Sequence, residues 1–282
     1  MKRHLPGLLL LVATLLSVLP GCATPPAASD SFRFVQISDP QLGFSSYDAD
    51  GRAFRRAVDR INALKPDFVI ICGDLVNDAG NPPRAYPDFK EITAGFTMPV
   101  YCVPGNHDVG LPTHATAVNN YRAVIGPDNL SFDHHGWTFI GLNTQTLALP
   151  ANHPEYLAQQ TWLRQTLVRA AAAKQPAVVF GHVPPFLATP DEKPEYFNYP
   201  QPVRREMLEL YRANGVRAVI SGHTHRQLDT TLDGMLFSCG GTTSVNFDQV
   251  PRGFNLWCAG PGRTLTRDYL PLEPPAPAKP AP

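Results

Sequence analysis

The sequence predicts an α/β fold, because short apolar runs suited to buried strands alternate with longer segments suited to helices. Its 282 residues are enough for one large domain, and 43% hydrophobic with 17% charged residues is a globular composition. The formal net charge is zero and the pI is about 7.1, whereas nucleic-acid binding favours a basic surface. We therefore expect no nucleic-acid partner, and the oligomeric state is left open.

The first half of the chain is predicted to form a βαβαβ unit. Strands are expected at residues 32–38, 68–72 and 100–103, and helices at residues 51–64 and 86–96. The strand at 68–72 is a continuous apolar run (FVIIC), which is typical of a parallel strand buried on both faces. This order of elements predicts neighbouring parallel strands.

The second half is predicted to continue the alternation and then to add β structure. The expected elements are a helix at 115–124, a hairpin within 130–142 that turns at 134–136, helices at 156–174 and 203–213, strands at 177–180 and 216–220, and several antiparallel strands within 227–270. Four histidines outside these strands are expected to be solvated loop residues: His114, His134, His135 and His153.

The first 21 residues are predicted to be a signal peptide. Lys2 and Arg3 precede an apolar run at residues 8–19, which is shorter than the roughly 20 residues of a membrane-spanning helix. Residues 19–22 (LPGC) resemble a bacterial lipobox, so Cys22 is predicted to be lipidated. We expect an exported protein that this lipid anchors to the cell envelope, on its periplasmic or extracellular face. Plain secretion with a free Cys22 is the alternative.

The predicted domain covers residues 32–270 and lies between two flexible segments. Residues 22–31 (CATPPAASDS) are expected to be a tether after the lipidated cysteine. Residues 271–282 are expected to be a Pro-rich, disordered tail.

The other cysteines are expected to be small buried side chains. They contain no CxxC pair, which argues against a cysteine zinc site. Each lies in an apolar, strand-like setting: Cys72, Cys102, Cys239 and Cys258. Disulfides stay an alternative, since an oxidising compartment permits them.

Five predicted strands are each followed directly by polar side chains. In chain order these are Asp39 and Gln41, then Asp74, then Asn106 and His107, then His182, and finally His223 and His225. Four of the five groups have a glycine just before the first polar residue. Because ligands of open α/β sheets bind at the carboxyl ends of the strands, these side chains are expected to converge on one pocket edge. If extended, the pairs separated by one residue, 39/41 and 223/225, each point to one face.

The residue types in this set indicate a metal site. Carboxylate, carboxamide and imidazole groups together suit ions such as Mn, Fe or Zn. The set is too large for one tetrahedral ion, but two five- or six-coordinate ions that share a carboxylate would use it. Two such ions, roughly 3.5–4 Å apart, clamp an attacking hydroxide and a phosphoryl oxygen for in-line displacement.

The strand-end blocks resemble the calcineurin-like metallophosphoesterase superfamily. The blocks are DPQ (39–41), GDLVND (73–78), GNHD (105–108), GHVP (181–184) and GHTH (222–225). The forms DPQ, GNHDVG, HVPPFL and EYFNYP are most similar to the calcineurin-like phosphoesterase-domain-containing subfamily, whose eukaryotic member is a serine/threonine phosphatase. The resemblance implies a metallophosphoesterase-type β-sandwich of two mixed sheets flanked by helices (αββα), with the site at one edge.

The resemblance also implies roles for individual residues. One divalent ion is assigned to Asp39, Gln41, Asp74 and His225, and the other to Asp74, Asn106, His182 and His223, with Asp74 bridging. His107 is expected over the phosphoryl group, as the acid that protonates the leaving oxygen or as a charged stabiliser. The implied reaction is hydrolysis of a phosphomonoester, phosphoproteins included, by in-line attack of a metal-bound hydroxide.

Two positions depart from the superfamily pattern. Gln41 stands where most members have His, and a neutral, harder oxygen ligand favours Mn or Mg at that site, with Mn preferred overall. Asn77 stands where the protein phosphatases proper have an Asp, so an Asp that orients His107 is not assured. Asp108 could orient His107, but its position after the block suits a role in capping a helix or supporting a ligand equally well.

Other residues and functions stay open. Asn143 could support the site or form a turn, and Tyr196, Phe197 and Tyr199 could form an aromatic wall over the leaving group or pack on the surface. Phosphate contacts by Arg226 and Arg252 are less favoured. The alternative functions are a phosphodiesterase acting on cyclic or other nucleotides and a catalytically silent binding lipoprotein of the cell envelope.

Overall fold

A computed structural model describes residues 31–79 and 83–273. Its strands are β1 Phe32–Ile37, β2 Phe68–Cys72, β3 Val100–Val103, β4 Leu130–His134, β5 Trp137–Gly141, β6 Ala177–Phe180, β7 Val216–Ser221, β8 Leu228–Leu232, β9 Met235–Cys239, β10 Gly253–Gly260 and β11 Thr264–Pro271. Its α-helices are α1 Tyr47–Leu64, α2 Ala85–Thr93, α3 Asn106–Val109, α4 Ala115–Val124, α5 Pro154–Ala172 and α6 Gln201–Ala213. Short 3₁₀ helices cover Thr144–Ala148 and Pro261–Arg263.

The strands form two mixed sheets. One sheet has the order β11-β10-β1-β2-β3 and the other the order β4-β5-β6-β7-β9-β8. Strands β1, β2 and β3 pair in parallel, as do β5, β6, β7 and β9, whereas β10, β11, β4 and β8 are antiparallel to their neighbours. The predicted βαβαβ unit is therefore confirmed.

Apolar side chains fill the space between the sheets and the space under the helices. Phe34 stacks on Phe68 and Trp257 in one sheet and meets Phe139 of the other sheet edge-on. A second cluster lies under α1, α2 and α4, and a third lies under α5 and α6. This is the predicted α/β sandwich of two mixed sheets flanked by helices.

Helix α1 begins four residues before its predicted start at Gly51. The carboxylate of Asp50 accepts hydrogen bonds from the backbone N–H groups of Gly43, Ser45 and Ser46. These bonds tie the preceding loop to the first turn of the helix, where apolar periodicity carries no signal. The short helix α3 was not predicted, because four residues are too few for a helical pattern.

The region after residue 227 differs from the expectation in its pairing. The hairpins β8-β9 and β10-β11 are antiparallel as predicted, but β9 pairs in parallel with β7, and β10 joins the other sheet beside β1. The described structure also runs past residue 270, since β11 ends at Pro271 and Leu272 is buried in the core. The signal peptide, Cys22 and nearly all of the tether and the tail lie outside the described residues.

The described residues form neither a disulfide nor a membrane-spanning helix. Cys72 and Cys239 are buried, Cys102 and Cys258 are half-buried, and all four are free thiols. Within residues 31–79 and 83–273, no helix is long and apolar enough to cross a bilayer.

Candidate metal centre

The carboxyl ends of the parallel strands bring the predicted ligands to one edge of the sandwich. Six of the seven are buried, namely Asp39, Gln41, Asp74, His182, His223 and His225, and Asn106 is half-buried. The two sheets are joined here, since the backbone N–H of His223 donates to the carboxylate of Asp39 at 3.0 Å. The convergence expected from the strand order is therefore found.

One group of donors gathers around Asp74. The Nε2 atom of His182 lies 3.2 Å from Oδ2 of Asp74 and 3.0 Å from Oδ1 of Asn106. Asp74, His182 and His223 can each offer one ligand atom within 4.8 Å of the others. Since the edge of an octahedron with bonds of about 2.1 Å is about 3.0 Å, these separations suit ligands of one ion.

The second group lies around Asp39. The Nε2 atom of His225 is 3.5 Å from Oδ1 of Asp39. The side-chain oxygen of Gln41 is buried and has no hydrogen-bond partner in the described part of the chain. A buried acceptor without a donor is costly, so this oxygen fits a cation better than it fits the protein alone.

The backbone at these strand ends is mostly left-handed. Five of the predicted ligands have φ between 39° and 67°: Asp39, Gln41, Asp74, His223 and His225. The pairs 39/41 and 223/225 are therefore not extended, and the condition under which each would point to one face is not met, because the chain turns as soon as each strand ends. Left-handed non-glycine residues are strained and cluster at functional sites.

Two glycines of the blocks make room for ligands. A Cβ atom on Gly105 would lie 2.0 Å from Oδ1 of Asp74, and one on Gly222 would lie 2.5 Å from Oδ2 of Asp39. Only a residue without a side chain fits at these contacts, which explains why glycine precedes the polar residue.

Backbone carbonyls select the nitrogen that each histidine presents to the site. Nδ1 of His182 lies 2.9 Å from the carbonyl of Cys72, and Nδ1 of His225 lies 2.6 Å from the carbonyl of Val245. Nε2 of His223 lies 2.9 Å from the carbonyl of Tyr196. Because a carbonyl only accepts, each of these nitrogens carries a hydrogen, and the other ring nitrogen of each histidine is the one that can bind a metal. A hydrogen bond from the ring nitrogen that does not bind the metal is the usual support of a metal-binding histidine.

The electrostatics of the edge favour a positive charge. Burial alone would lower the pKa of His182, but the carboxylates of Asp74 and Asp39 outweigh burial and raise this pKa to about 9. Burial and His182 lower the pKa of His223 to about 4. The two buried carboxylates thus attract one positive charge, which a cation supplies as well as a proton does.

His107 lies beside the donors without belonging to either group. Its backbone N–H donates to Oδ1 of Asp74 at 2.9 Å, and its Nδ1 lies 2.7 Å from the carbonyl of Asn77. The carbonyl therefore holds the Nδ1 hydrogen and leaves Nε2 free. The side chain of Asn77 accepts from Nε2 of Gln41 at 3.4 Å, which turns the amide oxygen of Gln41 away from Asn77.

Asp108 supports the backbone around the donors. Its Oδ2 accepts from the N–H of Gly105 at 2.8 Å and from the N–H of Leu75 at 3.1 Å. Asp108 therefore caps helix α3 and links the loops after β2 and β3. Burial and Asp74 raise its pKa to about 7.

Aromatic side chains surround the opening, and four of them define an aromatic rim: Phe44, Tyr196, Phe197 and Phe247. The ring of Phe247 stacks on His225 at 4.6 Å, and Phe44 lies 5.2 Å from the same ring. Tyr196 and Phe197 lie 4.7 and 5.2 Å from the ring of His223. Phe44, Tyr196 and Phe247 are exposed although they are large and apolar. The sequence drew attention to Tyr196 and Phe197, but it missed Phe44 and Phe247.

The remaining candidates have other places. Tyr199 is buried in the core beneath α6 and cannot line the opening. Asn143 caps the 3₁₀ helix by accepting from the N–H of Gln145. Arg226 is exposed and Arg252 is half-buried, so their burial gives no evidence that either side chain belongs to the site. Thr144 was missed: its hydroxyl accepts from the N–H groups of His182 and Val183, and no sequence pattern marks it.

Fold and site together define a metallophosphoesterase. A family model described as calcineurin-like phosphoesterase matches residues 32–227, and the chain belongs to this family. It is a metal-dependent hydrolase of phosphoric esters, and its family typically uses a binuclear metal centre.

The curated relatives include proteins of two kinds. The serine/threonine-protein phosphatase CPPED1 of Danio rerio is 33% identical over 229 residues, which cover 73% of this chain and 74% of the relative. The 3',5'-cyclic adenosine monophosphate phosphodiesterase CpdA of Escherichia coli K12 is 26% identical over 244 residues, with 84% and 82% covered.

A solved structure agrees with the fold. A dimetal phosphatase from Danio rerio superposes with a TM-score of 0.64 at 14% identity, covering 86% of this chain and 96% of that one. At this identity the likeness supports the architecture alone.

Proposed function

We propose that the chain hydrolyses phosphomonoesters at a binuclear centre. Asp39, Gln41, Asp74 and His225 would hold one ion, and Asp74, Asn106, His182 and His223 the other. The observation that carries this proposal is the set of backbone carbonyls that occupies one nitrogen of each of the three histidines, so that the other nitrogen is available to a metal. The buried oxygen of Gln41 supports it, and as a hard neutral ligand it favours Mn.

When bound, two divalent ions lower the pKa of a water and neutralise the phosphoryl oxygens, which permits in-line attack on phosphorus. The chain itself supplies His107. With Nδ1–H held by the carbonyl of Asn77, Nε2 is the nitrogen that, in the imidazolium form, gives its proton to the leaving oxygen and leaves a neutral imidazole. The aromatic rim excludes water from that side and offers flat apolar surfaces to the leaving group.

The preference for monoesters is supported by the relatives. The phosphatase relative is 33% identical, against 26% for the cyclic-nucleotide phosphodiesterase. A phosphodiesterase is the second candidate, because that second relative is covered over 82% of its length. Phosphoprotein substrates are part of the proposal.

The sequence supported a catalytically silent binding protein only through Gln41 and the lack of an Asp to orient His107, and membership of a phosphoesterase family argues against it. The carbonyl of Asn77 supplies that hydrogen bond without an Asp.

The experiment measures metal content and hydrolysis on the same protein. Purified chain is stripped with a chelator, reloaded with Mn²⁺, Zn²⁺ or Mg²⁺, and assayed on phenyl phosphate, a phosphoserine peptide, bis-p-nitrophenyl phosphate and cyclic AMP. We expect two ions per chain and higher kcat/KM on the two monoesters. Full activity after stripping would refute the metal mechanism, and a preference for the two diesters would favour the second candidate.

We also propose that the mature protein is exported and anchored through a lipid on Cys22. The support is the LPGC sequence after a short apolar run that follows two basic residues. Mass spectrometry of protein from a bacterial envelope fraction tests this. A mature N-terminus without lipid mass on Cys22 contradicts the anchor, and Cys22→Ser is the matched control.

A further inference from the structure

A second group of metal-binding side chains lies at the opposite end of the sandwich. Asp67 precedes β2, and His134 and His135 form the end and turn of the β4-β5 hairpin. The candidate metal centre lies where β2 ends, whereas Asp67 lies where β2 begins. One ligand atom from each of the three side chains lies within 4.8 Å of the others.

The expectation that His134 is a solvated loop residue is wrong. Its ring meets Phe32 and Phe68 edge-on, with centroids 4.7 and 5.1 Å away. Both phenylalanines are buried, so the imidazole is fixed against the core. This packing could not be predicted, because the hairpin and β2 are far apart in sequence.

The geometry of His134 and Asp67 suits a bound ion better than a direct hydrogen bond. Nε2 of His134 lies 3.4 Å from Oδ1 of Asp67, yet this nitrogen is buried and makes no hydrogen bond within the described residues. The edge of a tetrahedron with zinc bonds of about 2.0–2.1 Å is about 3.4 Å. The two atoms therefore stand at the separation of neighbouring ligands.

Local contacts also fix the positions of Asp67 and His135. The second carboxylate oxygen of Asp67 accepts from the backbone N–H of Arg33 at 3.0 Å, which turns Oδ1 toward His134. His135 lies in the tight turn with φ of 45°, and its ring is 4.6 Å from that of His134. Its exposure leaves one side of the group open to solvent.

We propose that Asp67, His134 and His135 bind one divalent transition ion, with Zn²⁺ as the probe ion. Two imidazoles and one carboxylate are a borderline donor set, which favours Zn²⁺ over Mg²⁺ or Ca²⁺. The ion joins β2 of one sheet to the β4-β5 hairpin of the other. It therefore links the two sheets at the end opposite the catalytic edge, which is the edge that carries the candidate metal centre. The site does not depend on the proposed phosphatase activity.

The test compares zinc content between matched variants of the full chain. Asp67→Asn keeps an oxygen that accepts from Arg33, and His135→Asn keeps a residue that tolerates a left-handed turn. His153→Asn is the control, because His153 caps α5 and Asn caps equally well. The readouts are zinc per chain after equilibration with excess Zn²⁺ and removal of free ion, and the rise in Tm on addition of Zn²⁺.

We expect Asp67→Asn and His135→Asn each to bind one zinc ion fewer than the wild type and the control. The difference of one ion is the readout, so the result does not depend on how many ions the catalytic edge holds. The part of the Tm rise that this ion causes should be absent in both variants. If either variant keeps the full zinc count of the wild type, the proposal is overturned.

Discussion

The two histidine-rich ends of the sandwich differ in how firmly their donors are held. At the catalytic edge, three histidines are buried and each is oriented by a backbone carbonyl. At the opposite end, His135 is exposed, and within residues 31–79 and 83–273 the carboxylate of Asp67 is the one donor group with a backbone partner. Backbone strain and buried charge are thus concentrated at the catalytic edge. The group of Asp67, His134 and His135 at the opposite end is a surface site that joins the two sheets.

The difference in charge is as large as the difference in burial. The catalytic edge buries Asp39 and Asp74 together, and this draws a proton onto His182. At the other end the single carboxylate of Asp67 is partly exposed to water. Loss of a bound cation should therefore affect the catalytic edge far more than the opposite end. Five substitutions test this difference.

The largest effect is expected from Asp74→Asn. The amide removes a buried charge from both groups of donors, so both ions and about 10³-fold or more of kcat should be lost. Metal analysis and kcat on phenyl phosphate check this. Retention of both ions with wild-type turnover would show that Asp74 does not bridge.

His107→Ala comes next. It removes the side chain that gives the proton but keeps the backbone N–H that donates to Asp74, so kcat should fall by about 10²–10⁴ while two ions stay bound. The metal count on the same sample separates this result from a collapse of the site. Loss of metal together with activity would place His107 among the ligands instead.

Asn77→Ala should have an intermediate effect that appears mainly in metal affinity. Removing the side chain frees the amide of Gln41, whereas the backbone carbonyl that holds His107 remains. We expect metal affinity at one site to fall by about 10-fold and kcat at saturating Mn²⁺ to change little. Asn77→Asp, which keeps the acceptor for Gln41, is the control. A fall in kcat that extra Mn²⁺ does not restore would contradict this role.

Phe247→Ala should change the choice of substrate more than the chemistry. The exposed ring stacks on His225 and is placed to contact a leaving group. We expect kcat/KM for phenyl phosphate to fall about 3- to 10-fold relative to that for an alkyl phosphate. Leu157→Ala, an exposed apolar side chain on α5, is the control. Equal losses on both substrates would mean that the ring only shields the metal centre.

The smallest effect on catalysis is expected from Asp67→Asn. If the two ends are independent, kcat/KM should stay within about 2-fold of the wild type, because well-separated sites without shared partners behave additively. If Asp67→Asn lost both turnover and one zinc ion, the two ends of the sandwich would not be independent.

Much of the catalytic edge could be predicted because parallel strands end at one side of a sheet. Asp39, Asp74, Asn106, His182 and His223 each follow such a strand, so local patterns locate them. The roles of Asn77, Val245 and Thr144 could not be found in this way, although the sequence singled out Asn77 for standing where the protein phosphatases have an Asp. These residues act through a carbonyl or hydroxyl whose partner is distant in sequence, and these groups carry no residue-specific pattern.

The sequence by itself determined the order of the elements, the buried strands and the types of donor at their ends, because periodicity and glycine placement are local properties. Only the tertiary structure decided the parallel pairing of β7 with β9, the nitrogen that each histidine presents, and the hydrogen bond that holds His107. It also brought Asp67 to His134 across the two sheets. These features depend on contacts between segments far apart in the chain, which form only when the two sheets pack.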